Sequence, residues 1–197
     1  MNQPIFFTGD LHFGHRRMAD QWRSFGGDID AMNETLIENW NSVIPRNGIV
    51  YNLGDFSFAT RAQTNEILSR LNGEHHFIKG NHDSVMERAE IKNRLASFNT
   101  YKDFKIQTRN GIQQIVLFHF PVESWHGVGK GAWHFHGHCH GNLQQPKGIL
   151  RLDVGVDNHD FKPWSVDEIT DHMESQLKSV KGKFWTPSDH HQAKGEM

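Results

Sequence analysis

The sequence predicts an α/β protein with a layered core, and three observations support this prediction. In the first half of the chain, apolar strand-like runs alternate with helical patterns, which is typical of βαβ units and predicts a largely parallel sheet. In the second half, strand-like runs follow one another with little helix, which predicts mostly antiparallel β structure. The length of 197 residues suits one domain with a two- or three-layer core. We therefore expect one domain over residues 1–180 and a polar, flexible tail over 181–197.

The first half is predicted to hold three strands and three helices. Asp28 or Asp30 is expected to cap the first helix, and Asn72-Gly73 to close the second. The segment 13–27 is predicted to be a long connection. Strands are predicted at 4–8, 49–53 and 75–79, and helices at 28–44, 61–71 and 84–95.

The second half is predicted to begin with a β-hairpin over 104–118. Asn110-Gly111 between its two apolar runs indicates a type I′ turn. Two further strands are predicted at 133–138 and 149–156. A last helix is predicted at 166–177, with Ser165 and Glu168 forming a capping box.

Composition excludes some classes of function. Formal net charge is -2 and the pI is about 6.7, which gives no electrostatic reason to expect long nucleic acid as a partner. Cys139 is the only cysteine, so an intramolecular disulfide is impossible and a reducing compartment fits. No signal-peptide pattern and no apolar run of membrane-spanning length is visible. We expect a cytoplasmic protein without a membrane partner, and the sequence leaves the oligomeric state open.

Polar side chains follow the C-terminal ends of the apolar runs, where α/β proteins place their ligand sites. Together they offer carboxylate, amide and imidazole ligands without a thiolate, which suits Mn, Fe, Ni or Zn, with Mn the expected ion. Seven ligands are too many for one ion with an open position and fit two ions that share a carboxylate. The candidate ligands are Asp10, His12, Asp55, Asn81, His119, His138 and His140.

Two metal ions would clamp the oxygens of an in-line displacement, and a water bridging them would become hydroxide near neutral pH. His82 then remains beside the ligand Asn81, where it could protonate a leaving oxygen. Asp83 is expected to hold the tautomer of His82. The residues thus predict an in-line displacement at a centre of two metal ions, with His82 as the leaving-group acid.

The order of the motifs resembles the signature of the calcineurin-like metallophosphoesterases, and no ligand position departs from it. The motifs are Asp10-Leu11-His12, Gly54-Asp55, Gly80-Asn81-His82-Asp83, His119 and Gly137-His138-Cys139-His140. Features around Asp55, His119 and Trp133 resemble a small, single-domain bacterial and phage branch. The resemblance implies a sandwich of two β-sheets flanked by helices.

The resemblance also implies a role for each residue of the motifs. One ion would be held by Asp10, His12, Asp55 and His140. The other would be held by Asp55, Asn81, His119 and His138, which makes Asp55 the bridge. The resemblance implies that His82 is the catalytic histidine, paired with Asp83.

Substrate contacts are less clearly marked. His15 and Arg16 follow the first metal motif, and a guanidinium can bind phosphate oxygens in a fork, although a solvated helix face explains Arg16 equally well. Trp125 could stack on a base or an aryl group, or only close the core. The loop 123–131 around it is a candidate substrate rim. His134 and His136 are expected to be structural, and Cys139 to be a packing residue.

We expect a phosphodiesterase that acts on a small or nucleotide-like ester. The alternatives are a phosphomonoesterase, including a protein phosphatase, and less favoured, a nuclease or a non-catalytic metal-binding scaffold. Histidines outside the motifs are expected to face solvent: His75, His76, His159, His172, His190 and His191.

Overall fold

Two β-sheets packed face to face form the centre of the protein in its computed structural model, which describes residues 3–181. The strands are β1 (Ile5–Thr8), β2 (Ile49–Asn52), β3 (Glu74–Ile78), β4 (Ser97–Asn99), β5 (Tyr101–Thr108), β6 (Gly111–Phe118), β7 (Trp133–His136), β8 (Arg151–Asp153) and β9 (Trp164–Ser165). The helices are α1 (Ile29–Val43), α2 (Arg61–Arg70), α3 (Ala89–Lys92) and α4 (Val166–Ser179). The predicted class, α/β with two sheets flanked by helices, is confirmed. The predicted flexible tail, with His190 and His191, lies outside the described residues except for Lys181.

The first sheet has the strand order β4-β3-β2-β1-β9, and all its pairs are parallel except β1 with β9. Ile5 pairs with Ile49, which in turn pairs with Glu74, so β1, β2 and β3 start at the same level. Their C-terminal ends therefore meet at one edge, and the loops that follow them leave the sheet side by side.

Apolar residues on both faces of the first sheet build two core clusters. One face packs under α1 and α2, where Met32, Leu36 and Trp40 of α1 are buried because they recur on one side of the helix. The other face packs against the second sheet, and α4 covers an edge of this layer through Ile169 and Met173. As predicted, Asp28 caps α1, and a capping box formed by Ser165 and Glu168 starts α4.

The second sheet has the order β5-β6-β7-β8, and the prediction of mostly antiparallel structure is wrong for it. Only β5 and β6 are antiparallel, whereas β6 with β7 and β7 with β8 are parallel. Parallel neighbours need crossover connections, and here irregular segments supply them where a helix would be usual. Those segments cover the outer face through a small cluster of Val116, Trp125, Ala132 and Ile149.

Several local predictions also need correction. The hairpin turn is not type I′, because neither Arg109 nor Asn110 has a positive φ; only Gly111 does, at 115°. The hydroxyl of Thr108 closes this turn by accepting from the Asn110 N–H and donating to the Gly111 carbonyl. The predicted third helix shrinks to α3, and the connection 13–27 contains a helical turn at Met18–Trp22. Within residues 3–181 no helix has the length and apolar character needed to cross a bilayer.

Candidate metal centre

The candidate ligands lie on loops that leave the C-terminal ends of β1, β2, β3, β6 and β7. Within residues 3–181, nine non-glycine residues have a positive φ, and five of them are candidate ligands. Such backbone conformations cost about 1–3 kcal/mol each and persist where the surrounding structure enforces them, which is common at functional sites. The backbone through the His-x-His motif is not extended, since His138 and His140 each have a left-handed conformation. The five residues are Asp10, His12, Asp55, His138 and His140.

Asp10, His12 and His140 form the first group, in which one ligand atom from each residue lies within 4.8 Å of the others. The Nε2 atoms of His12 and His140 are 3.3 Å apart. Asp10 and His12 are buried. Burial lowers the pKa of His12 to about 2, so its imidazole is neutral and has a lone pair to offer a cation.

The carboxylate of Asp10 fits a cation. Its Oδ2 accepts a hydrogen bond of 2.8 Å from the His138 backbone N–H, whereas its buried Oδ1 has no hydrogen-bond partner. Burial raises the pKa of Asp10 well above its usual value, because nothing around it fully offsets the lost hydration. A Cβ at Gly137 would lie 2.7 Å from Oδ2, so only glycine allows this close approach. A divalent ion at Oδ1 would satisfy the one open acceptor.

The ion pair between Arg23 and Asp157 supports the first group, because it holds His140 and the backbone of Asp10 in place. The Nδ1–H of His140 donates to Asp157 Oδ2 over 2.6 Å, and Arg23 binds the same carboxylate through Nε and Nη2 at 2.7 and 2.8 Å. The Arg23 guanidinium also donates to the backbone carbonyls of Asp10 and Leu11. Burial alone would raise the pKa of Asp157, but the hydrogen bonds from His140 and Arg23 hold it far below its usual value. The sequence did not reveal Arg23 or Asp157, because neither belongs to a recognisable motif.

Asp55, His119 and His138 form the second group, again with ligand atoms within 4.8 Å of one another. The Nδ1–H of His119 donates to the Leu53 carbonyl over 2.6 Å, so the lone pair of Nε2 faces the site. Asn81 Oδ1 lies 2.9 Å from His119 Nε2 and 3.0 Å from His138 Nδ1. Ligands about 2.1 Å from one ion are about 3 Å apart at neighbouring positions, so this spacing fits a shared cation.

The side chain of Asp55 lies between the two groups. Its Oδ1 accepts the His82 backbone N–H at 2.9 Å, which fixes the carboxylate. Its Oδ2 is 3.9 Å from His12 Nε2 of the first group and 3.7 Å from His119 Nε2 of the second. The protein thus has two His/Asp groups that could hold metal ions, with one carboxylate oxygen reaching toward both.

The prediction that Asp83 orients His82 is wrong. Asp83 is fully buried, and its two oxygens accept backbone N–H groups from Asp55, Phe56 and Gly80. These bonds tie the loop after β2 to the loop after β3, and both oxygens are already used by them. Asp83 therefore shapes the backbone that carries Asp55 and Asn81, and within the described residues it forms no hydrogen bond with the imidazole of His82.

His82 lies at the exposed side of the centre, together with His15 and Phe58. The ring of Phe58 lies 5.0 Å from that of His82 and 4.1 Å from that of His15, between centroids. His15 Nδ1 accepts the Met18 N–H, so its Nε2 carries the proton and is free to donate. Arg16 is exposed on the same loop. In the sequence, nothing distinguishes Phe58 from the other aromatic residues near the motifs.

Trp125 is not a substrate contact. It is buried in the outer cluster of the second sheet, and its Nε1–H donates to the Ala132 carbonyl. Its loop turns back along the hairpin, where His126 bonds Asp103 and Gln114. The substrate-rim prediction for 123–131 has no support in these contacts.

Histidines outside the two groups are more buried than expected. His134 donates from Nδ1 to the Val116 carbonyl and accepts the Val122 N–H at Nε2, in agreement with a structural role. Burial lowers its pKa to about 3. His75 was expected to face solvent, but it stacks on Trp40 at 5.5 Å, and burial lowers its pKa to about 4. The imidazole of His75 turns away from solvent because it packs against the indole ring of Trp40 on α1.

Comparison with known proteins shows relatives over most of the chain, although no protein-family model matches it. The uncharacterized protein MJ1445 of Methanocaldococcus jannaschii is 32% identical over 179 residues, which cover 87% of this chain and 92% of that protein. Gene 66 protein of Mycobacterium phage L5 is 28% identical over 178 residues, covering 77% and 86% of the two chains.

Among solved structures, the protein of unknown function AQ665 from Aquifex aeolicus aligns with a TM-score of 0.60. The alignment covers 91% of this chain and all of that one, at 19% identity, so the likeness is one of fold alone. The identity and coverage shared with MJ1445 are high enough to establish common descent. The chain belongs to the same protein family as MJ1445.

Proposed function

We propose that the protein is a phosphoesterase that uses two divalent metal ions, as the resemblance to the calcineurin-like metallophosphoesterases implies. The observation that carries the proposal is the pair of His/Asp groups joined by Asp55 Oδ2. Nitrogen and oxygen donors without thiolate favour Mn, with Fe, Ni or Zn as alternatives. When bound, two such ions would polarise the phosphoryl oxygens and lower the pKa of the attacking water.

Residues of the chain would position the ions, bind the phosphoryl group and protonate the leaving oxygen. Asp55, fixed by the His82 backbone N–H, would hold the two ions in register. The Nε2–H of His15 would donate a hydrogen bond to a phosphoryl oxygen, because its Nδ1 is already used as an acceptor. His82 would give its proton to the leaving oxygen as the P–O bond breaks, while the oxygen of water forms the new P–O bond.

We favour a phosphodiester over a monoester, because an alkoxide leaving group depends on an acid such as His82. We favour a small or nucleotide-like ester because the formal net charge of -2 gives long nucleic acid no electrostatic attraction. A phosphomonoesterase would use the same residues. A scaffold without catalysis would have no need of a solvent-facing histidine beside two intact ligand groups.

His82→Ala tests this assignment. We expect kcat to fall by roughly 10²–10⁴-fold on an alkyl or nucleoside diester, because proton donation matters only as the leaving group departs. On a p-nitrophenyl ester the loss should be much smaller, since p-nitrophenolate leaves without a proton. Metal content, measured by elemental analysis, should stay at two ions per chain.

Asp83→Asn is the matched control. Its carboxylate bonds three backbone N–H groups, so the variant should lose stability by about 1–3 kcal/mol. Any loss of rate should be equal on alkyl and aryl esters. Equal losses for His82→Ala on both ester types, with both ions retained, would contradict the role of His82 as an acid. No hydrolysis of any phosphate ester by the metal-loaded wild type would contradict the proposed function itself.

A further inference from the structure

Phe58 is an exposed apolar side chain at the centre, with 42% of its surface accessible. Its backbone is nevertheless fixed, because its N–H donates to the Phe13 carbonyl over 2.8 Å and the preceding Ser57 pairs with Phe13. Exposure of an aromatic ring to water is unfavourable, so the ring gains free energy when a ligand covers it. A side chain on a fixed backbone also loses less conformational entropy when it binds a ligand. Phe58 is thus a rigid apolar platform at the mouth of the centre.

The surroundings of the ring define its position. It stacks on the His12 imidazole of the first group, with 5.5 Å between centroids and 30° between planes. His15 contacts it edge-on at 4.1 Å, and the exposed His82 lies 5.0 Å away. The partly exposed ring of Phe58 therefore lies between the ligand His12 and the exposed His82.

We propose that Phe58 binds an aromatic ring in the leaving group of the substrate, so that the substrates are phosphate esters of nucleosides or similar aryl-bearing alcohols. This inference rests on the proposed function, because it takes His82 as the group that protonates the leaving oxygen. A leaving group whose oxygen lies at His82 has its next few atoms within reach of a ring 5.0 Å from that imidazole. A base placed there would stack on Phe58.

Phe120 provides a matched comparison beside the second group. Its ring lies 4.7 Å from His138 and 4.9 Å from His119. It is half-buried and also packs edge-on against Phe118 at 5.5 Å. Among the ring contacts of the described residues, Phe58 is paired with His82 whereas Phe120 is not, so only Phe58 should select the leaving group.

The test uses two diesters with the same pair of alcohol oxygens: adenosine 5′-(methyl phosphate) and the methyl diester of ribose 5-phosphate. The base is the only difference between them. For the Mn-loaded wild type we expect kcat/KM to be roughly 5- to 150-fold higher for the adenosine ester, the usual contribution of one base–aromatic stack. The products should be adenosine and methyl phosphate, because the stacked ribosyl oxygen is the one placed at His82.

Phe58→Leu keeps an apolar side chain but removes the ring, so it should abolish the preference and allow release of methanol as well. Phe58→Trp should retain the preference, and Phe120→Leu should leave it unchanged. Calorimetry with non-hydrolysable phosphonate analogues of the two diesters should show the same preference in binding. Metal content of each variant, measured by elemental analysis, should remain that of the wild type.

Two results would overturn the inference: equal kcat/KM for both diesters in the wild type, or an unchanged preference in Phe58→Leu. Loss of metal from Phe58→Leu would also overturn it, since the ring would then serve only to hold His12. If the wild type hydrolyses other phosphate esters but neither diester, the substrate class is wrong while the proposed function stands. If it hydrolyses no phosphate ester, both fail together.

Discussion

The two ligand groups have the same chemistry but different surroundings. In the first group Asp10 and His12 are buried, and His140 bonds Asp157, which pairs with the buried Arg23. In the second group Asp55 and His119 are buried as well, but His138 is exposed, and so is its neighbour Asn81. The Leu53 carbonyl orients His119, and the His82 backbone N–H fixes Asp55. Within the described residues, neither the side chain of His138 nor that of Asn81 is hydrogen-bonded to a carboxylate, a lysine or an arginine.

The different burial of the two groups indicates that they have different roles. A buried carboxylate with an open oxygen gains most from a cation, because the cation replaces hydration that folding has removed. The second group, which is open to solvent at His138, gains less and exchanges its ion with solvent more readily. We therefore expect the first group to bind its ion more tightly, as part of the folded structure, and the second group with His82 to face the substrate. The following predictions test this contrast, from the largest effect to the smallest.

Arg23→Met should have the largest effect on the first group. The variant leaves the half-buried Asp157 without its arginine and removes the hydrogen bonds to the carbonyls of Asp10 and Leu11, so the free energy of unfolding should fall by about 3–5 kcal/mol. Arg70→Met is the control, because the Arg70–Glu34 pair lies on the surface and contributes about 1 kcal/mol or less. Urea unfolding of the metal-free proteins measures both. Similar losses in the two variants would remove the evidence that the first group is specially supported.

Asp157→Asn should affect binding more than folding. The carboxylate that orients His140 and makes it more basic is lost, so the affinity of the first ion should fall by about 10- to 100-fold. The second ion should bind nearly as before, because its histidine His119 is oriented by the Leu53 carbonyl. Calorimetric titration with Mn distinguishes the two steps. Equal weakening of both steps would mean that the groups are not separately supported.

Binding of the first ion should release protons. Burial raises the pKa of Asp10. For His140, burial acts to lower the pKa, but the hydrogen bond to Asp157 and the charge of Asp10 outweigh it and raise the pKa above 6.5. Both groups thus hold protons to a higher pH than usual, and the ion must displace them. Its affinity should therefore rise with pH above 6.5 until His140 is neutral.

Titrations in two buffers with different protonation enthalpies measure this release. Asp157→Asn should reduce it, because the bond that raises the pKa of His140 is weakened. Binding of the first ion without any proton release near pH 6.5–7 would show that His140 is already neutral in the metal-free protein.

The sequence predicted that the candidate ligands lie together, because each follows a strand and parallel strands bring their C-terminal ends to one edge. Asp10 and Asp55 illustrate this, since β1 and β2 end side by side. Helix caps such as Asp28 were also predictable, because capping depends on a few neighbouring residues. The prediction of the hairpin turn from its local sequence was wrong, because the hydroxyl of Thr108 closes the turn where a type I′ backbone was expected.

Other features depended on contacts between distant segments. Arg23 and Asp157 are 134 positions apart, and nothing at either position marks them as partners. Asp83 follows His82 directly, which suggested a pair, but its side chain points to the backbone of the neighbouring loop. The parallel pairs of the second sheet are joined by crossover connections without helices, so no helical pattern in the sequence predicts them.

A metal titration of the wild type beside Asp55→Asn tests whether the two groups share one carboxylate. We expect two Mn ions per wild-type chain in two distinguishable steps, and a weaker affinity for both steps in the variant, because Asp55 Oδ2 reaches toward both groups. Asn81→Ala, measured alongside, should weaken only the second step. Binding of a single ion to well-folded wild type, or weakening of only one step in Asp55→Asn, would contradict a shared dinuclear centre.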